Sequence, residues 1–203
     1  MQFQLAFVAL VLSFVTVGNA IAIPDGTTLA KRDDQNDIVN RVCRNTTLLF
    51  ARGTSETTNM GGSVGPALAS ALRTRFGSSA VAVALDPKNA DGSVDCDNKI
   101  GTLLSYCPST RIVISGYSQG AEQVHGCLLR LTQTEANSVR AAVTFGDPLS
   151  TTTFDKISSS RAKVFCNVGD LVCAGQFIIT AAHLTYSTVA ITRLLTSSRA
   201  NRK

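Results

Sequence analysis

Arg111-Ile112-Val113-Ile114-Ser115-Gly116-Tyr117-Ser118-Gln119-Gly120 decides the fold of this chain. Its first half is an apolar run of strand length, and its second half reads G-x-S-x-G. A serine bracketed by glycines directly after a strand describes a nucleophile elbow. This is a sharp strand-to-helix turn that leaves a hydroxyl exposed above a helix N-terminus. Glycine is needed on both sides because a side chain there would run into the neighbouring strand or helix. The stretch predicts a serine esterase or lipase, with an acid and then a histidine later in the chain.

Outward from this point the apolar pattern repeats. Thr46 to Ala51, Ala80 to Leu85, Ala141 to Phe145 and Lys163 to Asn167 read as four more strands. Helical spacing is expected over Pro66 to Phe76, Asp95 to Tyr106, Gln119 to Leu131 and Tyr186 to Leu195. Pro66 suits a first helical turn and Gly77 a stop. Five apolar strands alternating with helices predict a three-layer α/β sandwich around a central, mostly parallel five-stranded sheet. Its ligand site should lie beyond the carboxyl ends of the strands, where Ser118, the Thr54 loop and Asp147 would gather.

A serine hydroxyl needs a base, and the base needs a third group to orient it. His183 is the candidate base. His125 lies about two turns along the helix that begins at Ser118, out of the serine's reach, and reads as a surface or packing residue. Asp147, Asp155 and Asp170 all fall between Ser118 and His183. Asp147 stands in a turn-like Phe145-Gly146-Asp147-Pro148. Asp170 is favoured because a disulfide between Cys166 and Cys173 would close a small loop around it and hold the carboxylate in place. The oxyanion of the tetrahedral intermediate needs donors. The backbone N–H of Gln119, after the nucleophile, is one. Arg52-Gly53-Thr54-Ser55 is the candidate loop for a second, with Thr54 offering its N–H and hydroxyl.

The N-terminus does not belong to this domain. Phe7 to Val17 is apolar and ends in small residues at Gly18-Asn19-Ala20, which reads as a signal peptide over residues 1–20 and is too short for a membrane span. Lys31-Arg32 is a candidate dibasic processing site, making 21–32 a pro-peptide and 33–203 the domain. Secretion is the expected fate. Six cysteines (Cys43, Cys96, Cys107, Cys127, Cys166 and Cys173) fit that compartment as three disulfides, with fifteen pairings open. Two histidines and no C-x-x-C pair argue against zinc. Asn45-Thr46-Thr47 is a glycosylation sequon at Asn45.

The net charge is +5. Taking Lys31, Arg32 and Asp25 from 19 basic and 14 acidic residues leaves 17 and 13 in the domain. Arg193, Arg199, Arg202 and Lys203 cluster at the C-terminus and read as a solvated tail rather than a nucleic-acid site, and neither nucleic acid nor membrane is expected as a partner.

Phe50-Ala51-Arg52-Gly53-Thr54-Ser55-Glu56, Gly116-Tyr117-Ser118-Gln119-Gly120-Ala121, Val164 to Cys173 and Ala181-Ala182-His183-Leu184-Thr185-Tyr186 together resemble the fungal cutinases, in the same order. The acid loop with its two cysteines is the distinctive part. The resemblance implies a lidless α/β-hydrolase, monomeric and free of cofactors. It implies Ser118 as nucleophile, Asp170 as acid, His183 as base, and Thr54 with Gln119 in the oxyanion hole. It pairs Cys43 with Cys107 and Cys166 with Cys173, leaving Cys96 with Cys127. It further implies cutin, the plant polyester, and short-chain esters as substrates.

Two features depart from the family. Thr54 stands where serine is common, and the segment from Ala80 to Ser105 is short. Asp86 to Gly92 is polar where one lip of an apolar groove is expected, while Phe177, Ile178, Ile179 and Leu184 offer the opposite lip or, alternatively, core packing. These departures keep two other readings in play: an acetylxylan esterase, and an inactive secreted relative that binds surfaces.

Overall fold

The computed structural model describes residues 37–76, 80–85 and 92–188, with only the backbone described over 80–85. They belong to one compact unit, Asp33–Lys203. The expected signal peptide, pro-peptide and processing site lie outside the described residues, as do most of the polar 86–92 stretch and the last helix beyond Thr188.

The described elements run β1 (Thr46–Ala51), α1 (Val64–Phe76), β2 (Ala80–Leu85), α2 (Gly92–Tyr106), β3 (Arg111–Tyr117), α3 (Gln119–Arg130), α4 (Gln133–Ser138), β4 (Val139–Phe145) and β5 (Ala162–Phe165). The strands form one five-stranded sheet in the order β2-β1-β3-β4-β5, parallel at every pairing. β1 is buried along its whole length, as a strand covered on both faces must be.

Alternation along β1 divides the core in two. Leu49 and Ala51 join Ile112, Ile114 and the buried faces of α2 and α3, including Ile100, Leu103, Val124 and Leu128. Leu48 and Phe50 join Val64 and Leu68 of α1, with Phe145 and Tyr186. Each fully buried side chain of this size contributes about 1.5–3 kcal/mol relative to exposure. The sheet is thus sandwiched between α1 on one face and α2 with α3 on the other.

Three disulfides staple these layers. Cys43–Cys107 ties the segment before β1 to the end of α2, Cys96–Cys127 joins α2 to α3 inside the core, and Cys166–Cys173 closes the loop after β5.

One element boundary and one extra element differ from expectation in an informative way. α2 begins three residues earlier than expected, at Gly92. α4 was not expected at all, since it is six residues long and follows α3 with hardly a break. Its signal is nonetheless in the sequence. Thr132 and Glu135 form a capping box, the Glu135 N–H donating to the Thr132 hydroxyl and the Thr132 N–H to the Glu135 carboxylate.

Register sets the functional edge. Gly116 of β3 pairs with Ala51, Tyr117 with Phe145, and Phe145 with Phe165. The residues that follow these positions, including Thr54, Ser118, Asp147 and Asp170, therefore leave the sheet on the same side.

Candidate active site

Ser118 has φ 56° and ψ −125°, a conformation that an L-residue rarely adopts. The two flanking glycines make it possible. A Cβ on Gly116 would stand 2.2 Å from the Gly120 carbonyl oxygen, and one on Gly120 would stand 2.0 Å from that of Ala51. The strand, the turn and α3 are packed backbone against backbone, so Ser118 stays half-buried at the start of α3 while both flanking glycines are buried.

The Ser118 side borders a cavity of about 530 Å³ that His183 also lines. His183 sits on a short 3₁₀ turn, Ala181–Thr185, and is almost fully buried. Its Nδ1 lies 2.9 Å from Asp170 Oδ2 and 3.0 Å from Oδ1. An ionised carboxylate only accepts, so Nδ1 carries the proton and Nε2 is left as the basic nitrogen. Asp170 is itself held by the Val172 N–H at Oδ1 and by the Tyr186 hydroxyl at Oδ2. The Cys166–Cys173 bridge brackets this loop, and Asn167 Nδ2 donating to the Ala182 carbonyl laces it to the histidine turn.

Asp147 and His125 form a second buried pair, with His125 Nε2 3.0 Å from Asp147 Oδ2. The Thr144 hydroxyl and the Leu149 N–H also donate to Asp147, and Phe154 stacks on the His125 ring. The Asp147 carboxylate is thus engaged with α3 while Asp170 holds His183. His125 is a packing residue with a hydrogen-bond partner.

On the other side of Ser118, the Thr54 hydroxyl donates to the Gln119 side-chain oxygen at 2.9 Å. This latches the loop after β1 to the first residue of α3. The loop has a further anchor that the sequence reading missed, the Glu56 carboxylate. It accepts from the Gly53 N–H at one oxygen, and from the Gly62 N–H, the Ser63 N–H and the Ser63 hydroxyl at the other. A carboxylate collecting donors just before a helix, Val64 being the first residue of α1, was the available signal.

Tyr117, the variable residue inside G-x-S-x-G, was also missed. Its ring stacks on His183 at 5.1 Å, and its hydroxyl donates to the His183 backbone carbonyl. Burial, then the charges of Glu56 and Asp170, push its phenol up to about 12.

The expected apolar lip is divided. Ile179 and Leu184 line the cavity, whereas Phe177 does not. All three are exposed, Phe177 at 81% and Leu184 at 63%, with Ile178 beside them, so core packing is not their role. The facing wall is polar, with Thr54, Ser55, Glu56, Thr57 and Ser63. Asn45 is exposed at the start of β1. Among the described residues there is no cluster of three or more His, Cys, Asp or Glu side chains able to hold a metal ion. No described helix is long and apolar enough to cross a membrane.

A serine on a strained strand-to-helix turn and a histidine held by a buried carboxylate thus line one cavity. The sequence model of the cutinase family matches residues 42–196. A cutinase of Monilinia fructicola is 36% identical over 178 residues, covering 83% of this chain and 84% of that one. Cutinase CUT2 of Pyricularia oryzae is 38% identical over 167 residues, covering 74% and 78%. Among solved structures, a Trichoderma reesei cutinase in complex with a phosphonate inhibitor superposes with a TM-score of 0.69 at 30% identity, covering 81% of this chain and 83% of that one. An acetylxylan esterase shares the fold at 18% identity and a TM-score of 0.64, covering 78% and 98%. Likeness of this extent, along most of both chains and through the elbow, the acid loop and the histidine turn alike, means that the chain belongs to the cutinase family of serine carboxylic-ester hydrolases.

Proposed function

We propose that this protein is a secreted cutinase that cleaves cutin and short-chain carboxylic esters through an acyl-serine intermediate. The observation that carries the reading is the buried Asp170–His183 pair at the wall of the cavity that Ser118 also lines. Ser118 Oγ attacks the ester carbonyl carbon while His183 Nε2 takes its proton, and Asp170 stabilises the imidazolium that forms. The oxyanion accepts hydrogen bonds from the Gln119 N–H and from Thr54. Collapse breaks the carbon–oxygen bond to the alcohol, which leaves with the proton from His183. Water, deprotonated by the same nitrogen, then releases the acid and restores Ser118.

Supporting this reading, Ile179 and Leu184 offer apolar surface to an acyl chain at the cavity mouth. The polar wall of Thr54, Ser55, Glu56, Thr57 and Ser63 favours a second reading, an acetylxylan esterase whose polymer is a sugar. Comparing release of hydroxy fatty acids from cutin with release of acetate from acetylated xylan separates the two. Activity on p-nitrophenyl esters of increasing chain length measures the reach of the acyl site. Ser118→Ala is expected to abolish hydrolysis of p-nitrophenyl butyrate with the fold intact, and turnover retained in that variant overturns the assignment. Labelling by an organophosphate excludes an inactive surface-binding relative, since only an activated serine reacts.

The rest of the proposal concerns the chain as a whole. Residues 1–20 are a signal peptide, 21–32 a pro-peptide and 33–203 the catalytic domain, acting as a monomer without a cofactor, with no nucleic-acid partner and no membrane association. The disulfides Cys43–Cys107, Cys96–Cys127 and Cys166–Cys173 suit an oxidising compartment, and exposed Asn45 suits a glycan. N-terminal sequencing of the secreted product tests the processing sites.

A further inference from the structure

Tyr186 lies three residues beyond His183 and is 1% exposed, the largest fully buried side chain described. Its hydroxyl is 2.5 Å from Asp170 Oδ2, the same oxygen that stands 2.9 Å from His183 Nδ1. The Asn167 N–H reaches the same phenol oxygen at 2.9 Å. A backbone N–H can only donate, so the phenol accepts from Asn167 and its single proton goes to Asp170. Edge-on contacts with Phe145, Tyr117 and His183, at 6.1, 6.0 and 6.2 Å between ring centroids, fix the ring. Tyr186 does not line the cavity, and its hydroxyl reaches the reaction through Asp170.

We propose that Tyr186 is a positioning residue for the catalytic acid, whose hydrogen bond to Asp170 keeps the His183 base unprotonated to lower pH than the Asp–His pair alone would. The proposal rests on the serine-esterase reading. The physical argument is charge sharing. The Asp170 carboxylate favours imidazolium in proportion to the negative charge that it presents to Nδ1. A phenol proton on the same oxygen withdraws part of that charge and competes with Nδ1 for the lone pairs. With less stabilisation, the imidazolium gives up its proton at lower pH, and the enzyme keeps a working base further into the acid range.

The other titratable groups near the ring are few. Asp170 faces it from the acid loop, Tyr117 stacks on it from β3, and Tyr186 meets it edge-on from the turn that follows. Glu56 lines the same cavity, and its charge also acts on the Tyr117 phenol.

The experiment is the pH profile of kcat/KM for p-nitrophenyl butyrate, whose acid limb reports the base of the free enzyme. In Tyr186→Phe the limb moves to higher pH, by about one unit, the order that a hydrogen bond to a charged group carries. A purely structural role would lower the plateau and leave the limb in place. Site-specific 3-fluorotyrosine at position 186 keeps the ring and both hydrogen bonds but makes the phenol a stronger donor, and the limb moves the other way. An unmoved limb in both variants, or a shift of the same sign in both, overturns the proposal. Should Tyr186→Phe not fold, because the Asn167 N–H loses its acceptor, the fluorinated protein decides alone. A downward shift supports the proposal, and an unmoved or upward-shifted limb overturns it. Turnover persisting in Ser118→Ala would instead defeat the esterase reading, so the two failures are distinguishable.

Discussion

Replacing Ser118 by glycine and, separately, by alanine divides the chemical role of its side chain from the cost of its backbone. Both variants lack the proposed nucleophile and are expected to be inactive. They differ in stability because φ 56° with ψ −125° is open to glycine and strained for any L-residue. Such strain costs on the order of 1–3 kcal/mol. Against it stands the greater freedom of glycine in the unfolded chain, about 0.5–1 kcal/mol. Ser118 is only half-buried, so either truncation loses little packing. Ser118→Gly should therefore be more stable than Ser118→Ala by about 1 kcal/mol, or roughly 2–4 °C in Tm for a domain of this size. Guanidinium unfolding of the oxidised proteins, checked by thermal melts, measures the difference. An alanine variant as stable as the glycine variant, or more so, would refute the claim that the elbow stores strain at the nucleophile.

Other outcomes follow from the same geometry. Gly120→Ala places a Cβ 2.0 Å from the Ala51 carbonyl oxygen. Backbone cannot swing aside as a side chain can, so a loss of about 3 kcal/mol is expected in denaturant melts. Glu56→Ala frees the loop that presents Thr54, and kcat should fall roughly 10- to 100-fold with KM little changed. A rise in KM alone would show that Glu56 serves binding. Tyr117 keeps its proton in the fold up to about pH 12, while an unfolded phenol releases it near ~10. Stability present below pH 10 should therefore be lost as pH rises from about 10 to 12, and Tyr117→Phe should flatten that fall in urea melts.

Much of the site was legible in the chain because local rules write it there. G-x-S-x-G after an apolar strand encodes the elbow, since only glycine fits where Gly116 and Gly120 meet backbone. The cysteines around Asp170 singled it out over Asp147 as the partner proposed for His183. α4 was missed although Thr132 and Glu135 carry its cap, because a six-residue helix has too few turns to show a period.

Residue types at short spacings were enough for the fold class and the family, and for the proposed order of nucleophile, acid and base. Which carboxylate holds which histidine depends instead on packing between distant segments. Asp147 and Asp170 both follow strands of one parallel sheet, and although the flanking cysteines single out Asp170, nothing local says which histidine either carboxylate will meet. Packing turns Asp147 toward His125 of α3 and Asp170 toward His183. Tertiary structure alone also brought Tyr117 to the His183 ring and the Tyr186 hydroxyl to Asp170. A hydrogen bond between distant segments depends on where the strand register delivers them, and that is a property of the whole sheet.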